Sequence, residues 1–471
     1  MSGYAGSAPA SRALAQAVAA TDWASLPATA RAQALDLFRD TLAVIAAGAV
    51  HPDFAPWLLR LGGAEAGPCT AIGLAHGVPA ASAVLLNGGA TTVLQWQDGH
   101  RMARGHPASH LVPALLALAE VRDAPAAEVM SAFVGGYEAG TRVGIALGGL
   151  RAPLHDGGTW ATLGTAAACA RLLGGDAATI ATALESAATL APMGWRDTVS
   201  QGATVHHLFI GLGAGTALTC AQSAFAGLGA IPGTIEQFFG PRAGADFRAA
   251  ALLDGVGGDG RWSRLELGSA YLKWHPVCAH FSGLADALAG LQQAHRAETG
   301  RALRHDDVES AEVALYATAL AYDTQRPANE LAARFSAAAI VRAALDPEGL
   351  AGPALARTAL AGDPAGQWLE RVRVEHDPSL DAGYPAGRPA RVTLRLADGQ
   401  ARSATVRDVY GDEARPLTPA DRAGKWARAL GRAFDQSGAA RVLGTFDDYV
   451  SGRAPIAALS AALRAIRHAP A

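Results

Sequence analysis

Three histidines lie close together in the segment LQWQDGHRMARGHPASH, residues 94–110. An imidazole changes charge near neutral pH, so it can both accept and donate a proton. His106 is followed by Pro107 and an apolar helical pattern, and proline favours the first turn of a helix. His106 is therefore predicted to flank a helix N-terminus, near the positive end of the helix dipole. We expect it to transfer protons to or from a bound molecule; the alternative is a structural role at a loop-to-helix junction.

The histidine spacing also raises the question of a metal ion. His106 and His110 are four residues apart, so one helical face could present two imidazoles to a metal. The segment has no HExxH motif, no carboxylate at a matching interval, and a proline at position 113. We therefore expect no bound metal and a structural role for His110. The alternative is a metal-dependent hydrolase that uses His100, His106 and His110, and elemental analysis would test it.

A further histidine, His155, stands in LHDGGTWATLGTAAACARLLGG, residues 154–175, just before a predicted alanine-rich helix. Small residues let backbone amides approach a ligand, and a helix N-terminus favours an anion. The pattern indicates a second element of a binding site. The alternative is a tight loop whose glycines only satisfy turn geometry.

Lys273 lies in a third stretch of interest, AYLKWHPVCAHFSGLADAL, residues 270–288. Its neighbours Tyr271 and Trp274 favour partial burial, and a desolvated ammonium binds a carboxylate strongly. The alternative is a surface lysine whose stem covers apolar neighbours. Cys278 has no evident activating partner, which favours a small buried filler over a nucleophile.

Helices are predicted to position the first two stretches. Apolar residues recur at helical spacing from about residue 8 to 265, for example in ALAQAVAATDWASL, residues 13–26. After about residue 305, DVESAEVALYA, ERVRVEHD and PARVTLRLADGQARSATVRD alternate apolar and polar residues, with a hairpin turn at Asp398-Gly399. The C-terminal sequence returns to helical spacing. We predict a mainly α protein with a discontinuous all-helical domain, residues 1–268 and 425–471, and an α+β domain, residues 269–424.

Composition narrows the possible partners and compartments. A chain of 471 residues is too long for a single hydrophobic core, which favours two domains. Its 39 basic and 42 acidic side chains give a formal net charge of -3. This charge offers no broad positive surface for nucleic acid. The four cysteines are scattered without a CxxC pair, which is typical of a reducing compartment. We expect no signal peptide, no membrane-spanning segment and a cytoplasmic location.

The order of these stretches resembles the MmgE/PrpD family, which includes 2-methylcitrate dehydratase, cis-aconitate decarboxylase and iminodisuccinate epimerase. The matching text includes NGGATTVLQWQDGH, GHPASHLVPALLALAE, GYEAGTRV, LHDGGTWATLG, HHLFIGLGAGTALT and LKWHP, and it covers nearly the whole chain. The resemblance implies that the α+β domain is a lid over the helical domain. It also implies a homodimer without metal or organic cofactor, which binds a di- or tricarboxylic acid between the domains.

The resemblance assigns roles to particular residues. The family's His-Pro matches His106 and the residue after it, its HPTGT-like motif begins at His155, and its KPYPCC-like motif begins at Lys273 and reaches Cys278. Tyr322 is an approximate counterpart of a lid tyrosine. These matches imply that His106 and His155 form the acid/base pair, with neither role assigned uniquely, and that Lys273 holds a substrate carboxylate.

Several positions depart from the family pattern. Where the family has DFDDTH, this chain has Gln95-Trp96-Gln97-Asp98-Gly99-His100, so an amide replaces the first acid and a glycine replaces the threonine. His206 stands where the family has a lysine, and Asp156 follows His155 where the family has a proline. We expect Gln95, Asp98, Gly99 and His206, with Cys278 and Tyr322, to bind or orient the substrate. The loss of one acid and one permanent cation indicates a less anionic substrate than citrate, or lost activity.

The predicted function is a lyase of the dehydratase type that removes a proton next to a carboxylate of a hydroxylated or related polycarboxylic acid. Epimerisation or decarboxylation would follow from the same first step and remains an alternative. A catalytically degenerate, carboxylate-binding member of the family is another. Arg101, Arg104 and Arg326 could pair with carboxylates, but arginines on polar loops are usually solvated, so we leave them outside the predicted site.

Overall fold

The computed structural model describes residues 9–63, 65–360 and 364–466, and helices dominate it. The ends of the predicted helical domain, residues 1–8 and 467–471, lie outside the described residues. The α-helices before residue 270 are α1 (Ala10–Ala20), α2 (Ala28–Ala49), α3 (Ala55–Gly62), α4 (Ala80–Ala90), α5 (Pro107–Arg122), α6 (Ala126–Ala146), α7 (Trp160–Leu172), α8 (Ala177–Leu190), α9 (Asp197–Ser200), α10 (Leu208–Phe225) and α11 (Gly240–Ala243).

The later helices are shorter on average and alternate with strands. They are α12 (Ser282–Thr299), α13 (Ala317–Leu320), α14 (Glu330–Ala333), α15 (Ala337–Ala344), α16 (Ala354–Thr358), α17 (Pro364–Trp368), α18 (Pro419–Leu430), α19 (Gln436–Val450) and α20 (Ile456–Arg464). The strands are β1 (Cys69–Thr70), β2 (Gly77–Val78), β3 (Gly99–His100), β4 (Ala270–Tyr271), β5 (Val308–Leu315), β6 (Val372–His376), β7 (Ala390–Leu396) and β8 (Ala401–Val406). Single 3₁₀ turns connect several elements, and one of them, Thr204–His207, leads into α10.

Helices α6 and α7 cross closely in the first hydrophobic core. A Cβ atom on Gly164 would meet the Gly136 carbonyl oxygen at 2.3 Å and the Gly140 Cα at 2.6 Å, so glycine permits this approach. The core collects residues from 10–272 and 417–466. The alanine-rich sequence therefore forms helices that pack at short distances, as the helical spacing predicted.

The helical region is not free of strands, which corrects the predicted all-helical character. β1 pairs with β2, and β3 pairs with β4, each as a two-stranded antiparallel ladder. The second ladder joins the histidine-rich segment to the stretch that carries Lys273. A Cβ atom on Gly99 would meet the Tyr271 hydroxyl at 2.2 Å, so the glycine allows the two segments to meet. Residues 99 and 271 are distant in sequence, and periodicity carries no signal for such a pairing.

The first helix is shorter than predicted. It ends at Ala20 and not at residue 26, because the chain turns at Asp22. The Asp22 carboxylate accepts a hydrogen bond from the Ala24 backbone N–H and begins a separate 3₁₀ turn. Aspartate favours such caps over helix interiors, a signal that the apolar spacing of this segment masked.

A four-stranded sheet forms the centre of the second hydrophobic core. Its strand order is β6-β5-β7-β8, with β5 and β6 parallel and the other neighbours antiparallel. Gly399 has a φ of +86° in the turn between β7 and β8, which confirms the predicted hairpin. Helix α12 packs on β7 and β8, and the core gathers Val199 and residues from 277–396. The structure thus has one helical core and one mixed core.

The C-terminal helices return to the helical core. α18 packs on α2, and α20 packs on α5. Lys425 of α18 forms a 2.7 Å ion pair with Asp40 of α2, and neither side chain is exposed. Ala270, Leu272 and Leu417, which fall inside the predicted 269–424 domain, belong to the helical core, and the boundaries at 268/269 and 424/425 stay a prediction.

One described helical stretch, Thr204–Phe225, has the length and composition of a membrane-crossing helix, with a mean hydropathy of 1.4. Half of its apolar window is buried in the fold. Because a core helix of a folded domain has the same composition, this helix alone does not indicate a membrane.

Candidate active site

A cavity of about 250 Å³ is lined by residues from both cores. His106, His155 and Asp156 line it from the helical side, together with Gln95. On the side of the mixed core, the lining includes Cys278, His280, Tyr322, Tyr384 and Arg388. Two of the three predicted catalytic side chains and three of the predicted substrate-binding ones therefore share one cavity.

His106 precedes α5, as its Pro107 neighbour predicted. Its Nδ1–H donates to the Asp98 backbone carbonyl at 2.5 Å, so Nε2 carries the lone pair in the neutral ring. Burial lowers the pKa of His106 to about 4, although Asp156 opposes the shift. The side chain is 12% exposed, and the ring therefore presents a neutral, proton-accepting Nε2 at pH 7.

His155 is fixed in the opposite tautomer. Its Nδ1 accepts a hydrogen bond from the Gly157 backbone N–H at 2.9 Å, so the neutral ring carries its proton on Nε2. Burial also lowers the pKa of His155 below its usual value, with Asp156 again opposing the shift. The cavity therefore contains one imidazole with a free lone pair and one with a free N–H.

Asp156 lies between the two histidines. Its Oδ2 is 4.0 Å from His106 Nε2, and its Oδ1 is 3.5 Å from His155 Nδ1. Burial opposes the ionisation of this carboxyl, but the charges of the neighbouring histidines in their protonated forms lower its pKa below the usual value, so it is ionised at neutral pH. From the sequence, Asp156 was visible only as the residue that replaces the family's proline. Its position directly after a candidate histidine was the available signal.

Gln95 links the cavity to two further predicted residues. Its φ is +52°, and its side-chain Nε2 donates to the Thr92 carbonyl at 2.8 Å and to His206 Nε2 at 3.2 Å. The His206 ring lies 4.9 Å from the His155 ring, and burial places its pKa well below the usual value. Lys273 Nζ donates to the Gln95 backbone carbonyl at 2.8 Å. His206 and Lys273 therefore stand directly behind the cavity lining and are not part of it.

Lys273 has an unusual electrostatic environment. The residue is 3% exposed, and burial lowers the pKa of its ammonium from 10.5 to about 7. Asp156 and Cys278 oppose this shift, while Lys425 adds to it. Among the described residues, Lys273 has no carboxylate within salt-bridge distance.

Asp98 and Gly99 support the site and do not line the cavity. The Asp98 carboxylate accepts from the Ala108 N–H at 3.0 Å and from the Ser109 N–H and hydroxyl at 3.1 and 2.8 Å. These bonds cap the start of α5, while the Asp98 carbonyl orients His106. Burial raises the pKa of Asp98 to about 6. Gly99 permits the β3–β4 pairing, and the predicted substrate contacts of both residues remain predictions.

The other two histidines of the first segment bond to the backbone. His110 donates to the His106 carbonyl at 2.8 Å and accepts from the Gly158 N–H at 2.9 Å. His100 donates to the Glu266 carbonyl at 3.1 Å and accepts from the Ala103 N–H. Neither ring keeps a free nitrogen for a metal. In the described ranges, no three His, Cys, Asp or Glu side chains are grouped to hold a metal ion.

Aromatic rings form the opposite wall. Tyr322 stacks on His280 with ring centroids 4.7 Å apart, and His280 Nδ1 bonds the Tyr316 hydroxyl at 2.5 Å. Burial raises the pKa of the Tyr322 hydroxyl and raises the pKa of the Cys278 thiol to about 11. Cys278 is therefore protonated at pH 7, which supports the predicted filler role. His280 lies in the same stretch as Lys273, residues 270–288, but no sequence signal predicted its place in this wall.

Three arginines line the cavity. The Arg104 and Arg388 guanidinium carbons lie 5.0 and 4.8 Å from the Tyr384 ring centroid, and Arg196 lies 5.5 Å from that of Tyr322. Arg104 had been left outside the predicted site, and Arg196 and Arg388 were missed because no local pattern marks them. These arginines can hold carboxylates.

The two other arginines considered from the sequence lie elsewhere. Arg101 pairs with Asp412 at 2.8 and 2.5 Å and covers the Tyr271 ring. The Arg326 side chain is 90% exposed and lies 3.8 Å from Glu370. Neither residue lines the cavity, so leaving them out of the predicted site agrees with the geometry.

The structure thus combines a helical core and a smaller mixed core with a histidine-lined cavity between them. The chain belongs to the MmgE/PrpD family, because the model of the MmgE/PrpD N-terminal domain matches residues 12–243 and that of the C-terminal domain matches residues 275–446. It is 35% identical over 118 residues to a cis-aconitate decarboxylase-like protein of Aspergillus oryzae. This alignment covers 23% of the chain and only 24% of that relative.

Proposed function

We propose that this protein is a cofactor-independent lyase that removes a proton next to a carboxylate of a hydroxylated or related polycarboxylic acid. The observation that carries the proposal is the pair of opposite imidazole tautomers in one cavity. His106 offers a free Nε2 lone pair, and His155 offers an Nε2–H. Both are neutral at pH 7 because burial lowers their pKa values.

The tautomers support a separate role for each histidine in this proposal. His106 Nε2 accepts the proton from the carbon, and His155 Nε2–H donates to the oxygen on which enolate charge develops. A neutral imidazole can stabilise such charge as a hydrogen-bond donor. The arginines of the aromatic wall hold the substrate carboxylates, and Lys273 stabilises the anionic intermediate from behind Gln95.

The enolate-like intermediate formed by proton removal has two outcomes. Loss of a hydroxide from the neighbouring carbon, with a proton supplied by the site, gives an alkene and water. Return of a proton to the opposite face gives the epimer. A decarboxylase would instead reach its intermediate by loss of carbon dioxide and protonate the carbon. The name of the partly aligned relative favours decarboxylation as the second candidate.

Heavy water separates these outcomes. Purified protein is incubated in D₂O with hydroxy, amino and unsaturated di- and tricarboxylates, and products are analysed by NMR and mass spectrometry. An alkene supports dehydration, whereas deuterium in recovered acid without alkene supports epimerisation, and carbon dioxide supports decarboxylation. The absence of exchange, alkene and carbon dioxide with every acid would favour a degenerate, carboxylate-binding member.

Variants test the roles of the residues. His106→Ala and Lys273→Ala should abolish turnover while circular dichroism shows an intact fold. Near-full activity in both variants would contradict the assignment. A requirement for stoichiometric zinc or iron, lost with a chelator, would instead favour the metal-dependent hydrolase.

We further propose that the protein is a cytoplasmic homodimer, as the family resemblance implies. Apolar side chains are exposed between residues 190 and 231, including Leu190, Leu212, Phe225, Leu228 and Ile231. Water exposure of such side chains is unfavourable, and a second copy could cover them. Light scattering should report a dimer, and Leu212→Asp should weaken it; a wild-type monomer would contradict the proposal.

A further inference from the structure

One oxygen of the Asp156 carboxylate, Oδ2, has no hydrogen-bond donor among the described residues, although the group lines the cavity. The Asp156 side chain is 15% exposed, but its Oδ2 atom is buried. A buried acceptor that lacks a donor is unfavourable by the full desolvation penalty of the group. Some other group is therefore expected to supply the missing proton donor.

The neighbouring histidines do not supply it. The His106 nitrogen that faces Asp156 is Nε2, which carries the lone pair because Nδ1–H bonds to a carbonyl. The His155 nitrogen that faces Asp156 is Nδ1, which already accepts from the Gly157 N–H. Neither histidine therefore directs an N–H at the Asp156 carboxylate.

The rest of the described lining has the opposite charge. Arg104, Arg196 and Arg388 line the same cavity, and Asp156 is the single acidic residue among the described lining residues. A bound acid would place its carboxylates at the arginines. A hydrogen-bond donor elsewhere on the same molecule would satisfy Asp156.

We propose that Asp156 is a specificity-determining residue that accepts a hydrogen bond from a hydroxyl or ammonium substituent of the substrate. The site then selects carboxylic acids that carry such a donor over equally charged acids that lack it. This inference deepens the proposed function and rests on it for the use of the cavity as the substrate site. A site built to pair with a donor rejects analogues without one, because its buried acceptor is left unpaired.

Matched acids test the selectivity without turnover. Succinate, malate and aspartate share a four-carbon skeleton and differ in having no donor, a hydroxyl or an ammonium. Tricarballylate and citrate form a second pair that differs by a hydroxyl. Calorimetric titration of the wild-type protein should show about tenfold or tighter binding of at least one donor-bearing acid than of its donor-free partner.

Two substitutions identify the donor. Asp156→Ala removes the acceptor and should abolish the preference for either donor. Asp156→Asn keeps an acceptor oxygen without the charge, so a hydroxyl preference should persist while an ammonium preference should fall at least about tenfold. Asp323→Asn is the control, because Asp323 accepts a hydrogen bond from the Ala337 N–H outside the cavity lining. It should leave the preference unchanged.

The results distinguish this inference from the proposed function. Equal binding of donor-free and donor-bearing acids, or a preference that survives Asp156→Ala, would overturn the role of Asp156. No binding of any of the five acids would overturn the inference together with the assignment of the cavity. Selective binding without deuterium exchange or product would support the role of Asp156 and contradict only the proposed turnover.

Discussion

Two buried lysines hold adjacent carbonyls of the same loop, but their partners differ. Lys273 Nζ donates to the Gln95 carbonyl at 2.8 Å, and Lys425 Nζ donates to the Trp96 carbonyl at 3.2 Å. Lys425 also pairs with Asp40 at 2.7 Å, whereas Lys273 has no carboxylate at salt-bridge distance among the described residues. The first lysine can place a cation beside the cavity lining, and the second completes its pairing within the fold.

The loop at Gln95 and Trp96 is therefore held by two lysines whose charges are balanced differently. The Lys425–Asp40 pair fixes the chain behind the cavity, where burial lowers the pKa of Lys425 and Asp40 opposes that shift. Lys273 has no such ion-pair partner among the described residues, and burial lowers its pKa to about 7. The two lysines therefore bond to the same loop but differ in whether the fold supplies an ion-pair partner.

The largest expected effect comes from breaking the paired lysine. Lys425→Met should lower the free energy of unfolding by about 3–5 kcal/mol, because Asp40 would remain buried without its cation. Lys273→Met should lower it less, by about 1–3 kcal/mol, since only the Gln95 carbonyl loses a donor. Urea denaturation measures both. Equal losses would contradict the distinction.

A double variant sharpens the first prediction. Asp40→Asn combined with Lys425→Met removes both charges, so the pair should be less destabilised than Lys425→Met alone. A double variant at least as unstable as the single variant would show that the charge left on Asp40 is not the cause of the loss.

For catalytic activity we expect the opposite ranking, with a larger effect from the substitution of Lys273 than from that of Lys425. Lys273→Met should reduce kcat/KM by about 10²–10³-fold on any acid that the wild-type protein converts, because an anionic intermediate loses its nearby cation. Lys273→Arg retains the charge and should recover part of the loss. If Lys425→Met in its folded fraction lost as much activity, Lys273 would have no special role.

The pH dependence of stability provides a third comparison. The folded Lys273 has a pKa of about 7, and its usual value is 10.5. Between these values the unfolded chain binds an additional proton, so the unfolding free energy rises with pH, by at most about 1.4 kcal/mol per unit. Lys273→Met should lack this rise between pH 7 and 10.5. Parallel curves for the variant and the wild type would contradict the shift.

The sequence predicted local features better than long-range ones. Proline and apolar spacing located His106 at the start of α5, and the alternation of residues 390–406 located a hairpin. These signals are local, whereas the Lys425–Asp40 pair joins residues 385 apart in the chain. No periodic pattern marks a contact across that distance.

In the candidate site, too, the sequence predicted residues but not the contacts between them. Family motifs identified His106 and His155, but the tautomers depend on the Asp98 carbonyl and the Gly157 N–H, which only coordinates place. In the sequence, Asp156 was recognisable only as a residue in place of the family's proline. Its contacts with the His106 and His155 rings depend on side-chain positions, which the sequence does not give. The sequence therefore identified the two histidines of the candidate site but not their tautomers or their charged neighbour.

The smallest expected effect on stability comes from placing a carboxylate near Lys273, as Asp40 lies near Lys425. Gln95→Glu keeps the side-chain length but replaces an amide donor, so the bonds to the Thr92 carbonyl and His206 Nε2 are lost. This should cost about 1 kcal/mol of stability. The new carboxylate should raise the pKa of His206, since that pKa is lowered by burial and by Lys273.

The same carboxylate should raise the pKa of Lys273 and flatten the stability rise between pH 7 and 10.5. NMR titration of the His206 ring and urea denaturation across this pH range measure the two effects, and Gln97→Glu is the control because Gln97 does not line the cavity. If Gln95→Glu left the pH slope unchanged, the low pKa of Lys273 would not depend on the missing anion. The contrast with Lys425 would then reflect burial alone.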